Sequence, residues 1–207
     1  MTVEKGASWG APGGLPDDGV VVRSDAEARH LVEEARRAGR PLPVLGLAGG
    51  DLCRTLGGPG ADGAPERLRS SAATTSTVDV GSVLVDGRIH WFVAHLVARR
   101  SGWRGRAVVA MNAQWLGALD LGPRAHPGDG LLDVSDGALP WRERFVARRR
   151  ARTGSHLPHP GIRTSRVPAL QVDLDPPLDV WLDGERVARG ARALSLRVEP
   201  DALTVVV

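Results

Sequence analysis

The sequence has no tyrosine, two phenylalanines and a single cysteine, and Lys5 is its only lysine. One cysteine, Cys53, excludes an internal disulfide and a cysteine-based zinc cluster. Two phenylalanines beside six tryptophans argue against a base-stacking platform for single-stranded nucleic acid, which needs several exposed rings. No apolar run approaches the roughly 18 residues of a transmembrane helix, and the first residues lack the apolar region of a signal peptide. The expectation is a cytoplasmic protein, free to act peripherally at a membrane surface. Nearly all the positive charge is arginine, which does not titrate below about pH 12. With 24 acids against 27 bases, the surface is mixed rather than strongly cationic.

What is present is ordinary in amount: 207 residues, 42% hydrophobic and 25% charged. That suffices for one good core, or for a main domain with a small appendage. Residues 1–19 are rich in Gly, Ala, Pro and Ser and read as a flexible tail, with Trp9 able to dock. Residues 20–76 read as a small α/β unit. Val20–Arg23 is a short strand, and Ser24-Asp25-Ala26-Glu27 fits a capping box. Ala28, Leu31, Val32 and Ala35 then recur with helical spacing up to Gly39. Val44–Leu47 is a buried strand.

From residue 77 the period changes to two. Short strands separated by Gly, Pro and Asp turns predict an antiparallel β-sandwich over 77–207, so the fold class is mainly β with an α/β N-terminal part. Asp86-Gly87 marks a hairpin. One inserted helix, about 140–152, starts at Pro140, carries Trp141, Phe145 and Val146 as an apolar face, and ends in Arg148, Arg149, Arg150 and Arg152. That arginine run reads either as a solvated face or as a patch for acidic headgroups or phosphates.

Four constellations could carry chemistry. The glycine turn Ala48-Gly49-Gly50-Asp51 opens a short helix; it either presents amides to a phosphate or is a plain turn with Asp51 as N-cap. Asp183-Gly184 suits a type I′ turn, and Glu185 beside it could be a general base toward a hydroxyl. Asp129-Gly130-Leu131-Leu132-Asp133 gathers oxygen ligands that suit magnesium or calcium. Cys53 follows a turn but has no evident partner base, and His126, His156 and His159 lack zinc spacing. Asp120 has no assigned role.

In order along the chain, Gly49-Gly50-Asp51-Leu52-Cys53-Arg54-Thr55-Leu56-Gly57, Val78-Asp79-Val80-Gly81, Asn112, Pro123-Arg124-Ala125, Asp129-Gly130-Leu131-Leu132-Asp133 and Asp183-Gly184-Glu185 resemble the bacterial diacylglycerol kinase family, the lipid-kinase branch of the NAD kinase-like superfamily. The resemblance runs from about Val44 to Val207 and implies a β-sandwich behind a nucleotide-binding domain. It implies Glu185 as catalytic base supported by Asp183, and Gly49, Gly50, Asp51 and Arg54 at the nucleotide. It implies a magnesium site at Asp129, the Leu131 carbonyl and Asp133, and ATP and Mg2+ as cofactors. This sequence departs from the family at three places: Gly50 replaces Asn, Ala48 replaces Thr, and His126 stands where an acidic ligand is expected. The family's Gly-Gly-Asp-Gly-Thr phosphate loop does not occur before residue 44, and only one strand and one helix stand there. Phosphoryl transfer rests on positioning and charge stabilisation of phosphates.

The favoured expectation is therefore a degenerate lipid kinase-like protein with a truncated nucleotide-binding domain and no independent ATP-dependent activity, acting in lipid binding or as a structural unit. The alternative is an active lipid kinase that phosphorylates a diacylglycerol-type hydroxyl. The third is a basic nucleic-acid-binding protein using Arg142 to Arg152, ranked last because of the mixed charge. The expected partners are a lipid or membrane surface and a second copy of the chain as a dimer that covers exposed strand edges, with no nucleic acid.

Overall fold

The computed structural model describes residues 10–59 and 65–207. The elements, in chain order, are β1 (Ala11–Pro12), β2 (Val20–Val22), α1 (Asp25–Arg37), β3 (Leu45–Leu47), α2 (Asp51–Thr55), α3 (Pro65–Leu68), β4 (Thr74–Val85), β5 (Arg88–Phe92), β6 (His95–Arg99) and β7 (Arg106–Met111). They continue with β8 (Trp115–Leu116), β9 (Leu119–Asp120), β10 (Leu132–Ala138), α4 (Trp141–Arg150), β11 (Ile162–Val167), β12 (Ala169–Leu182) and β13 (Glu185–Val206). Among the described residues, one sheet runs in the order β1-β4-β13-β12-β6-β7-β10-β11, with β5 added to β4 and the β2–β3 pair added to β13.

Val83 of β4 and Val134 of β10, from strands far apart along this path, belong to the same buried cluster as Phe92, Leu96, Val108, Leu178, Val180 and Leu196. The sheet therefore folds back over itself, and its inner faces meet as an antiparallel β-sandwich, as the period-two pattern implied. The long strands β12 and β13 bend through register shifts. One shift in β12 lies between Asp173 and Leu178, where Pro176 and Pro177 cannot donate to a ladder. The period-two pattern predicts five separate strands here, Val167–Leu174, Leu178–Leu182, Arg186–Ala188, Ala193–Val198 and Leu203–Val207, divided at such points. It also missed β11, which pairs along β10 from Leu132↔Val167 to Gly137↔Ile162.

A second buried cluster joins Val32 of α1, Leu45 and Leu47 of β3, and Leu52 and Cys53 of α2 to Val78, Val80, Leu203 and Val205. β3 runs parallel to the end of β13, Val205 opposite Leu45. The N-terminal α/β part is thus continuous with the sandwich through a shared sheet. Residues 10–19, expected within a flexible tail, are docked instead. Ala11 and Pro12 pair with β4, and Leu15 is 4% exposed with its amide donating to the Leu68 carbonyl at 2.6 Å. An apolar side chain that finds a core recovers more free energy than local composition suggests. Residues 1–9, with Trp9, and residues 60–64, the middle of a loop expected over Pro59 to Pro65, lie outside the described residues.

Candidate functional site

Four chain turns converge at the junction between the α/β part and the sandwich. They bring together the first residue of α1, Asp25; the first residue of α2, Asp51; the first residue of β6, His95; and Asp183, in the turn before Glu185 opens β13. One ligand-type atom from each of Asp25, Asp51 and His95 lies within 4.8 Å of the others. Sequence reading singled out Asp51 and Asp183 but not Asp25 as a site residue, and missed His95.

Asp183 sits at φ 49°, as the type I′ turn requires. Its side chain turns inward and accepts from the amides of Val93 (2.9 Å), Ala94 (2.9 Å) and His95 (3.0 Å), while its own amide donates to the His95 carbonyl at 3.0 Å. The period-two pattern after Asp86-Gly87 predicts one strand over Arg88–Arg99, and these bonds break it into β5 and β6. Burial, opposed by the His95 charge and the three amides, raises the Asp183 pKa. Burial and then the charge of Asp183 raise the Asp25 pKa to about 6.

His95 is 3% exposed and hydrogen-bonds the Asp51 carboxylate through Nε2 at 3.1 Å. Burial opposes its charged form, but the Asp51 hydrogen bond and the charges of Asp183, Asp51 and Asp25 prevail and raise its pKa. For Asp51, burial acts upward and is outweighed by the His95 hydrogen bond, the Gly117 amide and nearby positive charge, so its pKa is lowered. The cluster is three carboxyl groups around one imidazole, and their charges favour the protonated ring.

The first two amides of α2 are used internally. The N-cap of α2 is Gly50, not Asp51. The Asp25 carboxylate crosses from α1 to accept from the amides of Asp51 (2.6 Å) and Leu52 (3.1 Å). Gly50 has φ 96°, and a Cβ there would lie 2.5 Å from Asp25 Oδ1, so this approach requires glycine. At α1, Ser24 Oγ accepts from the Glu27 amide at 3.2 Å, and the Glu27 carboxylate accepts from the Arg23 amide at 2.7 Å.

The other nucleotide candidates clamp the β8–β9 hairpin. Asp51 accepts from the Gly117 amide at 2.9 Å. Arg54 donates to the Gly117 carbonyl at 2.9 Å and lies 3.5 Å from the centroid of the Trp115 ring. Asp51 and Arg54 are thus engaged within the chain, and a phosphate approaching α1 or α2 would meet Glu27, Asp25 and Asp51.

Glu185 is half-exposed, and its carboxylate pairs with Arg29 and with His30 (2.9 Å). Arg29 is itself buried and also holds Glu33 at 3.2 Å. The candidate base thus faces a cation from α1, not a free acceptor site.

The candidate magnesium turn behaves in the same way. Arg166 of β11 pairs with both Asp129 and Asp133, the latter at 3.1 Å. The Leu131 amide donates to Asp129 Oδ1 at 3.0 Å, and His126 Nδ1 accepts from the Gly128 amide at 3.2 Å. The Arg166 guanidinium stands where a metal charge would otherwise face these two carboxylates. In the Asp25–Asp51–His95 cluster the carboxylate oxygens likewise accept internal hydrogen bonds.

The remaining motif residues are structural. Asp79 accepts from the Gly130 (2.7 Å) and Asp201 (2.9 Å) amides, and Asn112 donates to the Asp79 and Val93 carbonyls at 2.8 Å each. Gly81 lies against the Phe92 ring, where a Cβ would overlap it. Asp120 accepts from Gln114 at 2.8 Å, and Cys53 Sγ donates to the Leu47 carbonyl.

Comparison with known proteins places this geometry. Residues 76–207 match the family model described as the YegS C-terminal NAD kinase beta sandwich-like domain. The sequence matches none of the curated proteins. Three solved structures from Bacillus anthracis str. Sterne, described as diacylglycerol kinases, two of them provisionally, share the fold. One has a TM-score of 0.67 and 15% identity, over 91% of this chain and 77% of its own. The second has 0.56 and 14%, over 79% and 69%. The third has 0.56 and 15%, over 79% and 66%.

Proposed function

The chain belongs to the YegS C-terminal NAD kinase beta sandwich-like domain family, and on that premise we propose a diacylglycerol kinase-like protein that transfers no phosphate from ATP by itself and acts as a lipid-binding unit. One observation carries this reading: the helix N-termini beside Glu185 give their amides to the chain's own side chains. In α2 the acceptor is Asp25; at α1 the acceptors are Ser24 and Glu27. Phosphoryl transfer needs amides and cations aimed at the phosphates. Here the strand–turn–helix Val20–Arg37, where the family's phosphate loop is expected, presents carboxylates instead. The Arg29 pairing of Glu185 supports the same reading, because a guanidinium then lies against the carboxylate that a substrate hydroxyl would have to reach.

The test is transfer from labelled ATP–magnesium to diacylglycerol in mixed micelles by the purified chain. The expected result is no product above background and no heat of ATP–magnesium binding by calorimetry. Product formation that disappears in Glu185→Gln would overturn the reading in favour of an active lipid kinase. The half-exposed position of the Glu185 side chain is what favours that second reading, since a substrate hydroxyl can reach it.

A further inference from the structure

Helix α4 carries the apolar face that its spacing predicts, Trp141, Phe145 and Val146, and keeps it 68%, 73% and 49% exposed. The side turned toward the protein carries Arg144 and Ala147, followed by the buried Ala151 in the next turn. Arg144 fixes the helix by donating to the Trp103 carbonyl at 2.6 Å. Between the helix and the sandwich opens an apolar pocket of about 400 Å³ whose lining includes Trp103, Val109, Leu121 and Ile162 on one side and Trp141 and Phe145 on the other, so the two rings border the pocket and are open to solvent as well.

Positions 141, 145, 148 and 149 have the i, i+4, i+7, i+8 spacing of one helix side. On that side two aromatic rings are flanked by arginines. Arg142, Arg148, Arg149 and Arg152 are exposed, and no ion pair holds any of them among the described residues; Arg142 rests against the Trp141 ring, 5.2 Å from its centroid. The one acid of α4, Glu143, is turned toward His159 at 3.8 Å. A face that keeps tryptophan, phenylalanine and unpaired arginine in water is poorly matched to bulk solvent. It is well matched to a surface with phosphates outside and hydrocarbon beneath.

We propose that this face of α4 docks on an anionic phospholipid bilayer. Trp141 and Phe145 enter the headgroup–acyl boundary, and Arg142, Arg148, Arg149 and Arg152 contact headgroup phosphates. The proposal rests on the lipid-binding part of the reading above and gives it a location, on a helix that does not include Glu185 or the buried acid cluster.

The test is co-sedimentation of the whole chain with phosphatidylcholine vesicles with and without phosphatidylserine, with tryptophan quenching by brominated lipid as a second readout. Binding is expected to the phosphatidylserine vesicles and to weaken as salt rises. Arg148→Gln with Arg149→Gln should weaken it by about 30-fold at low salt. Trp141→Ala with Phe145→Ala should weaken it by about tenfold or more. Trp141→Phe should remove most of the quenching while leaving binding nearly intact. All these positions are exposed, so unchanged thermal melting will separate lost docking from lost folding.

Vesicle binding that survives all four substitutions overturns the α4 assignment but leaves the lipid-binding reading standing. No binding to either vesicle overturns both. Concentration-dependent dimerisation removed by the same substitutions would assign the face to a second copy, and duplex DNA that displaces vesicles would assign it to nucleic acid; either outcome overturns the proposal.

Discussion

Asp183 shows how far a side chain's role can lie from the role its motif suggests. It was expected to support a catalytic base, and its carboxylate instead holds three consecutive amides of the β5–β6 junction. Asp183→Ala leaves those donors buried without an acceptor, and chemical denaturation should show a loss on the order of 3 kcal/mol or more. The neighbouring titrations predict an unusual pH dependence. The folded-state pKa of Asp25 is raised to about 6, so between about pH 4 and 6 the folded chain holds more protons than the unfolded chain, and stability falls as pH rises. His95 is also raised above its ordinary value; its contribution is complete below about pH 6.5 and is lost as pH rises through the folded pKa. Asp51, lowered, acts oppositely, and only in acid, where stability is lost as pH falls through its folded pKa. Denaturation midpoints should therefore be higher near pH 6 than near pH 8.5. His95→Gln should remove most of that difference.

At the scale of elements, two close approaches decide which strands can pair. Gly81 in β4 lets the Phe92 ring of β5 lie flat over the backbone. Gly81→Ala should push that ring out of the sandwich core and cost about 1–3 kcal/mol, read as a lower melting temperature. The β10–β11 ladder carries Arg166 across to Asp129 and Asp133. Because this guanidinium supplies the charge a divalent ion would bring, adding magnesium or a chelator should leave the melting temperature unchanged. Arg166→Ala should lower it, by about 1 kcal/mol at this partly exposed site. The same elements mark how far the sequence could be read. Asp86-Gly87 and Asp183-Gly184 announced their hairpins, because turn chemistry is local. The break between β5 and β6 did not, because Val93 and Ala94 look like strand residues and the acceptor that ends the strand is 90 residues away.

Across the described residues, three of the acidic groups that suggested chemistry lie beside a basic side chain: Glu185 beside Arg29, Asp129 beside Arg166, and Asp51 beside His95. The amino-acid sequence by itself determined the strand periodicity, the capping box of α1, the two Asp-Gly turns and the order of motifs that points to the family. All of these depend on residues within a few positions of one another, or on their order. Only the tertiary structure decided what the carboxylates do. The Arg29–Glu185, Arg166–Asp129 and His95–Asp51 contacts join residues 156, 37 and 44 positions apart, and periodicity carries no information at such separations. It also decided that Trp141 and Phe145 of α4 stay largely exposed, since spacing shows that they share a side, and only packing shows how far that side is covered.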